Sequence, residues 1–259
     1  MFRSATGFKG MTIAALDGNI GSVKDLYFDD RTWTVRYLVV DTGTWLPGRQ
    51  VLISPLSVQG TSSKDEVAVS LNQEQVKGSP SIDTDRPVNR QHETELLSYY
   101  GYPYYWAGPY RWGLADYAGA LTIPPLPPSD PVAEEMAARA RQEQGDPSLR
   151  SVLDVTGYSI AASDGAIGHV EDFLIDEPAW AIRYMVVDTR NWLPGKKVIV
   201  SPEWIESVSW PESTVHVSLR RDHIEAAPEY DPTRSLERAE ESRLFEHHGR
   251  QKYWEREAR

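Results

Sequence analysis

The chain has 259 residues, 40% of them apolar and 25% charged, with a formal net charge of −11. That size and balance suit two folded domains, and the acidic charge argues against nucleic acid as a partner, because such binding rests on Lys and Arg displacing counterions. The absence of cysteine excludes disulfides, a thiolate nucleophile and Cys-ligated zinc or iron–sulfur clusters, and apolar runs such as Tyr37 to Val40 fall far short of the roughly 18 to 20 residues a membrane helix needs.

In chain order, the elements are those of a β-rich unit stated twice. The stretch Gly10 to Gly21 returns as Gly157 to Gly168, Val35 to Thr42 returns as Ile182 to Thr189, and Trp45-Leu-Pro-Gly48 returns as Trp192-Leu-Pro-Gly195, all at one constant displacement. A repeat of domain size can bury its own core, unlike a solenoid unit. Arg3-Ser4 corresponds to Arg150-Ser151, which places Arg3 in the first copy.

Asp17-Gly18 and Asp164-Gly165 predict hairpin turns. The run Ile20 to Phe28 breaks its two-residue period, so a β-bulge is expected near Lys24-Asp25 and again near Glu171-Asp172. Trp33 to Thr42 is apolar on both faces, which suits a strand curled into a small barrel. Leu46-Pro47-Gly48 predicts a type II turn leading into a strand at Val51 to Ser54. Val67, Val69 and Leu71 give a last alternating strand, matched by Val215, Val217 and Leu219 after one inserted residue.

A helix follows each copy. The segment Glu93 to Gly101 aligns with Glu241 to Gly249, each glycine sitting where a left-handed C-cap belongs, and Asp231-Pro232 is expected to open the second helix. Tyr105-Trp106 recurs as Tyr253-Trp254, so the tail belongs to the repeat. Between the copies lie an aromatic stretch from Tyr99 to Tyr117, an extended proline run at Pro124 to Pro128, and a short helix from Asp130 to near Gly145.

The Asp-Gly-x-Ile-Gly-x-Val-x-Asp motif, the Arg-Tyr-x-Val-Val-Asp-Thr strand and the Trp-Leu-Pro-Gly hairpin together resemble the PRC-barrel family. The resemblance covers residues 3 to about 75 and 150 to about 222. It implies a mainly β fold of two small PRC-type β-barrels, each followed by a C-terminal helix and joined by an aromatic and Pro-rich linker. The expected division is a first barrel at 1–77, linker at 78–149, a second barrel at 150–227 and a helical tail at 228–259. The family includes the cytoplasmic domain of the photosynthetic reaction-centre H subunit and the C-terminal domain of a ribosome-maturation factor. Neither role transfers whole, since the sequence holds neither the H subunit's membrane helix nor the other's RNA-associated barrel, and fold alone does not assign function.

Candidate chemistry is sparse. Arg36 and Arg183 stand inside an apolar strand and need carboxylate partners, for which Asp25 and Asp172 are the expected structural ion pairs. Asp41-Thr42 and Asp188-Thr189 suit turn hydrogen bonds better than acid–base work. His247-His248 are adjacent and diverge on a helix, unlike paired metal ligands. Neither Gly18 to Gly21 nor Gly165 to Gly168 leads into a phosphate-binding helix.

Trp33 and Trp180 read as core, while Trp45 and Trp192 stand open between core and surface. The interaction candidates are Trp45, Trp192, Tyr99, Tyr100, Tyr102, Tyr104, Tyr105, Trp106, Tyr110 and Trp112, because so many clustered aromatics are awkward to leave wet. Wrapping of this segment around its own barrel is the competing expectation. The sequence therefore predicts a non-enzymatic, cytoplasmic interaction or scaffolding protein without cofactor or metal. Its partner would be an unidentified protein, and the two copies would form an intramolecular pseudo-dimer or support a homodimer. The alternatives are an accessory role in a photosynthetic or other membrane-associated complex and, lower, a small-ligand binder or enzyme.

Overall fold

The computed structural model describes residues 1–63, 65–80, 88, 90–113, 115–120, 149–189 and 196–257. The proline run, the helix expected after Asp130 and the second Trp-Leu-Pro-Gly turn with Trp192 lie outside the described residues. The fold is mainly β. Its strands are β1 (Phe2–Ser4), β2 (Thr12–Ala15), β3 (Gly18–Asp29), β4 (Thr34–Asp41), β5 (Gln50–Ile53), β6 (Val58–Ser63), β7 (Glu66–Val69), β8 (Leu149–Ser151), β9 (Ser159–Ala162), β10 (Gly165–Asp176), β11 (Ala181–Asp188), β12 (Lys197–Val200), β13 (Ile205–Ser209) and β14 (Thr214–Val217).

Two compact units result, and both are discontinuous in sequence. The N-terminal unit is Ala5–Leu153 with Asp176–Ala181; the C-terminal unit is Met1–Ser4 with Asp154–Ile175 and Ile182–Arg259. This differs from the continuous division at 1–77, 78–149, 150–227 and 228–259. Arg3 belongs with the C-terminal unit, and Leu149–Leu153 with the N-terminal one.

In the N-terminal unit, β2 and β3 form the hairpin across Asp17-Gly18, with Ala15 opposite Gly18. β3 continues antiparallel along β4, β4 pairs with β5, β7 joins β2 in parallel, and β6 flanks β7. Gly21 has to be glycine. Its φ is 154°, and a Cβ there would lie 2.1 Å from the Asp41 carbonyl oxygen, so only a bare α-carbon lets β3 and β4 approach so closely. Gly168 repeats this against Asp188, at 2.0 Å.

The register of β3 on β4 slips between Val23 and Asp25, at the expected bulge, and again between Tyr27 and Phe28. The second slip leaves Arg36 with no opposite residue, since Tyr37 faces Tyr27 and Val35 faces Phe28. One face of the curled sheet buries Ile13, Ile20, Leu26, Phe28, Leu38 and Val67. The other buries Tyr37, Val39 and Leu52 with Val88, Leu96 and Leu149.

The C-terminal unit repeats the plan. β9 and β10 form a hairpin, β14 lies parallel to β9 with β13 beside it, β12 pairs with β11, and β1 pairs with β10. In each unit the hairpin aspartate also caps a short helix: Asp17 Oδ1 accepts from the Gln73 amide and Asp164 Oδ1 from the Arg221 amide, both at 2.8 Å.

The longer helices are Arg90–Tyr100 and Arg238–His247. Both end as expected, with Gly101 (φ 69°) and Gly249 (φ 61°) left-handed and the next amide returning to a carbonyl five residues back. The second helix begins later than Asp231. Asp231 instead closes its own turn on the Thr233 amide, and Glu237 caps Arg238–His247.

Candidate interaction surface

The tail of each copy is held by a buried carboxylate. Glu93, in the first turn of Arg90–Tyr100, is 1% exposed and accepts hydrogen bonds from the Tyr105 hydroxyl at 2.6 Å and the Tyr37 hydroxyl at 3.4 Å. Its other oxygen pairs with Arg90 at 3.1 Å. The C-terminal unit has the same set, with Glu241 accepting from Tyr184 at 2.7 Å and Tyr253 at 2.9 Å and pairing with Arg238 at 2.9 Å. A buried carboxylate is tolerated only when its lone pairs are filled in this way.

Arg36 supplies the second layer. Its guanidinium lies 3.6 Å above the Tyr105 ring and 4.9 Å from Trp112, and Arg183 lies 4.0 Å above Tyr253. Arg36 donates to the Arg111 carbonyl at 2.7 Å, to Thr32 Oγ1 at 3.1 Å and to Asp29 Oδ2 at 3.3 Å. Its carboxylate is therefore Asp29 rather than the expected Asp25. Arg36, at the second register slip, reaches the end of β3, where Asp29 stands.

Asp25 sits at the first bulge, where its Oδ1 accepts from the Leu26 amide at 2.7 Å. Asp172 accepts from the Phe173 amide at the same distance. Asp41 accepts from the Gly43 amide at 2.8 Å, and Thr42 and Thr189 donate to turn carbonyls, which makes these residues turn-formers.

Burial pushes the Glu93 carboxyl up to about 7, against the opposing pull of Arg90, the Tyr105 hydroxyl and Arg36. Burial and then the neighbouring Glu93 charge raise Tyr37 and Tyr105 well above the usual phenol value. Tyr184 and Tyr253 are raised by burial and then by Glu241.

The aromatic candidates divide on this anchor. Tyr105 and Trp112 are buried, and the Trp112 indole donates to the Ala179 carbonyl at 3.1 Å, so neither belongs to a surface. Outside them, Tyr100 stacks on Tyr102 with centroids 5.6 Å apart and planes 20° apart, and Tyr104 stacks on Trp106 at 5.1 Å and 16°. These four rings are half-buried, while Tyr99 and Tyr110 are exposed. Tyr104 is fixed by a 2.7 Å hydrogen bond with Ser98, and Trp106 carries the Arg90 guanidinium 4.2 Å from its ring. Trp45 is half-buried beside its turn, Trp180 is buried against Phe8, and Trp33 stacks on Phe28.

The anchor leaves a signal in the sequence. Glu93 with Glu241 and Tyr105 with Tyr253 recur in register, yet nothing in the local pattern distinguishes a buried glutamate from its charged neighbours on the helix. Among the described residues no group of three or more His, Asp or Glu side chains converges as a metal site, and no helix is long and apolar enough to cross a membrane.

A mainly β unit with this hairpin, parallel return strand and appended helix defines a small curled-sheet module. Residues 2–72 match the PRC-barrel domain family, and that part of the chain is a PRC-barrel domain. Among curated proteins, none matches the chain.

Proposed function

We propose that the protein is a non-catalytic interaction module, and that the ladder Tyr100, Tyr102, Tyr104 and Trp106 receives an extended, proline-rich segment of a partner protein. One observation carries this: two stacked, half-buried aromatic pairs follow one another along the tail, with Tyr100 packed on the core, Tyr104 bonded to Ser98 and Trp106 lying against Arg90. Half-buried aromatic faces fixed in stacked pairs suit the flat pyrrolidine rings of polyproline II, which arrives at such a surface already ordered. The net charge of −11 favours a partner segment carrying Lys or Arg. The buried carboxylates support a non-enzymatic reading, because Glu93 and Glu241 spend their oxygens on tyrosine and arginine donors within the protein.

The test is titration of the full chain with a proline-rich peptide bearing terminal arginines, followed through the Trp106 indole resonance. A saturable shift, lost in the Tyr102→Ala, Tyr104→Ala double variant with the fold intact, is the expected result. No shift with any proline-rich sequence, or a shift unaffected by the double variant, would sink the proposal.

A further inference from the structure

We propose that the outer edge of β3, and its counterpart in β10, is a strand-receiving site that reads an apolar–Arg–Ser sequence, and that its resident ligand is the opening strand of the opposite copy in the same chain. β8 lies antiparallel on β3, with Ser151 opposite Tyr27, Arg150 opposite Phe28 and Leu149 opposite Asp29. Each of its three side chains meets a matched group. Leu149 is 4% exposed within the cluster of Tyr37, Val39, Leu52, Val88 and Leu96. The Arg150 guanidinium pairs with Asp30 at 2.9 Å. The Ser151 hydroxyl donates to Asp25 Oδ2 at 2.5 Å, and the Leu153 amide donates to the other oxygen of the same carboxylate at 3.2 Å.

The second occurrence follows the same pattern. β1 reads Phe2-Arg3-Ser4 and pairs with β10. Phe2 meets the Tyr184 ring edge-on at 5.7 Å, where Leu149 meets Tyr37. Asp172 and Glu177 occupy the sequence positions of Asp25 and Asp30. Backbone pairing supplies affinity at such an edge and the alternate side chains supply selectivity, which is strand addition as used between separate proteins.

The chain passes from β1 in the C-terminal unit to Ala5 in the N-terminal one, and from Leu153 in the N-terminal unit to Asp154 in the C-terminal one. The copies have thus traded opening strands, as in a domain swap closed within one polypeptide. The N-terminal unit also takes in the Asp176–Ala181 tip, through Val35 N donating to the Trp180 carbonyl at 2.8 Å and Thr61 donating to Glu177 at 3.1 Å. Among the described residues of 5–120 no strand pairs with Tyr27–Asp29 on that edge, and β8 from the other copy does.

The experiment places a site-specific protease sequence between Pro128 and Ser129 of the full chain and measures mass by light scattering after cleavage. One particle with the mass of both fragments is expected. In the cleaved protein, Arg150→Glu with Ser151→Ala is expected to lower the urea midpoint for fragment separation, while Arg243→Ala, on an exposed helix face, leaves it unchanged. Ser151→Ala alone gives a smaller shift in the same direction and serves where the double variant does not fold. Two folded fragments that separate on cleavage, or a midpoint unmoved by Ser151→Ala and by the double variant, would overturn the assignment.

Discussion

The two tail anchors hold the same residues in different surroundings. Glu93 and Glu241 each bind two tyrosine hydroxyls and one arginine, but the Arg90 side chain is 11% exposed and the Arg238 side chain 56%. The difference comes from what lies above. Tyr105 to Trp112 folds back over the N-terminal anchor, with Trp112 buried and the Arg111 carbonyl accepting from Arg36. Water can still reach Arg238. One constellation is therefore a dry, high-stakes ion pair and the other a partly screened one, although both use one arginine, one glutamate and two tyrosines at matching positions.

Removing each carboxylate tests this contrast most severely. Glu93→Ala strands two phenols and a covered guanidinium and is expected to cost about 3–5 kcal/mol. Glu241→Ala leaves an arginine that water can solvate, and about 1–3 kcal/mol is expected. Denaturant melts read by hydrogen exchange on helices Arg90–Tyr100 and Arg238–His247 separate the two; equal losses would erase the distinction.

The pH response should follow the drier anchor. The carboxyl of Glu93 is raised from an ordinary 4.5 to about 7, so between those values the folded state binds more protons than the unfolded chain. By linkage, stability contributed by this group falls as pH rises from about 4.5 to 7 and is level outside that window, with a slope below about 1.4 kcal/mol per pH unit. Melts of Glu93→Gln should lack this slope; a variant that keeps it assigns the titration elsewhere. Next comes Tyr105→Phe, which removes one hydrogen bond to a buried carboxylate and should cost about 1.5–3 kcal/mol by the same melts.

Much of the strand plan was legible because turn chemistry is local. Asp17-Gly18, Leu46-Pro47-Gly48 (Gly48 φ 75°) and the capping Gly101 and Gly249 each needed a backbone that only a few residues adopt. The need of Arg36 for a carboxylate was equally plain. Which carboxylate was not, because a slip at Tyr27-Phe28 leaves no trace in the apolar pattern when both faces are buried. The traded strands were hidden for another reason. Phe2-Arg3-Ser4 and Leu149-Arg150-Ser151 are near-equivalent ligands, and sequence adjacency assigns each to the copy it precedes, whereas pairing is settled in space.

The smallest effect concerns the single length difference between the copies. The β13–β14 turn, Trp210 to Ser213, carries the inserted residue, and Ser213 is exposed with φ 51°. A left-handed backbone costs a non-glycine residue about 1 kcal/mol or more, partly offset because glycine loses more freedom on folding. The Ser213 amide donates to the Trp210 carbonyl at 3.3 Å, a bond glycine retains. Ser213→Gly should therefore stabilise the C-terminal unit by about 0.5 kcal/mol and leave hydrogen exchange in β2 and β3 unchanged. Destabilisation would mean that the serine side chain, rather than its backbone, shapes the longer turn, and the copies would then differ there in chemistry as well as in length.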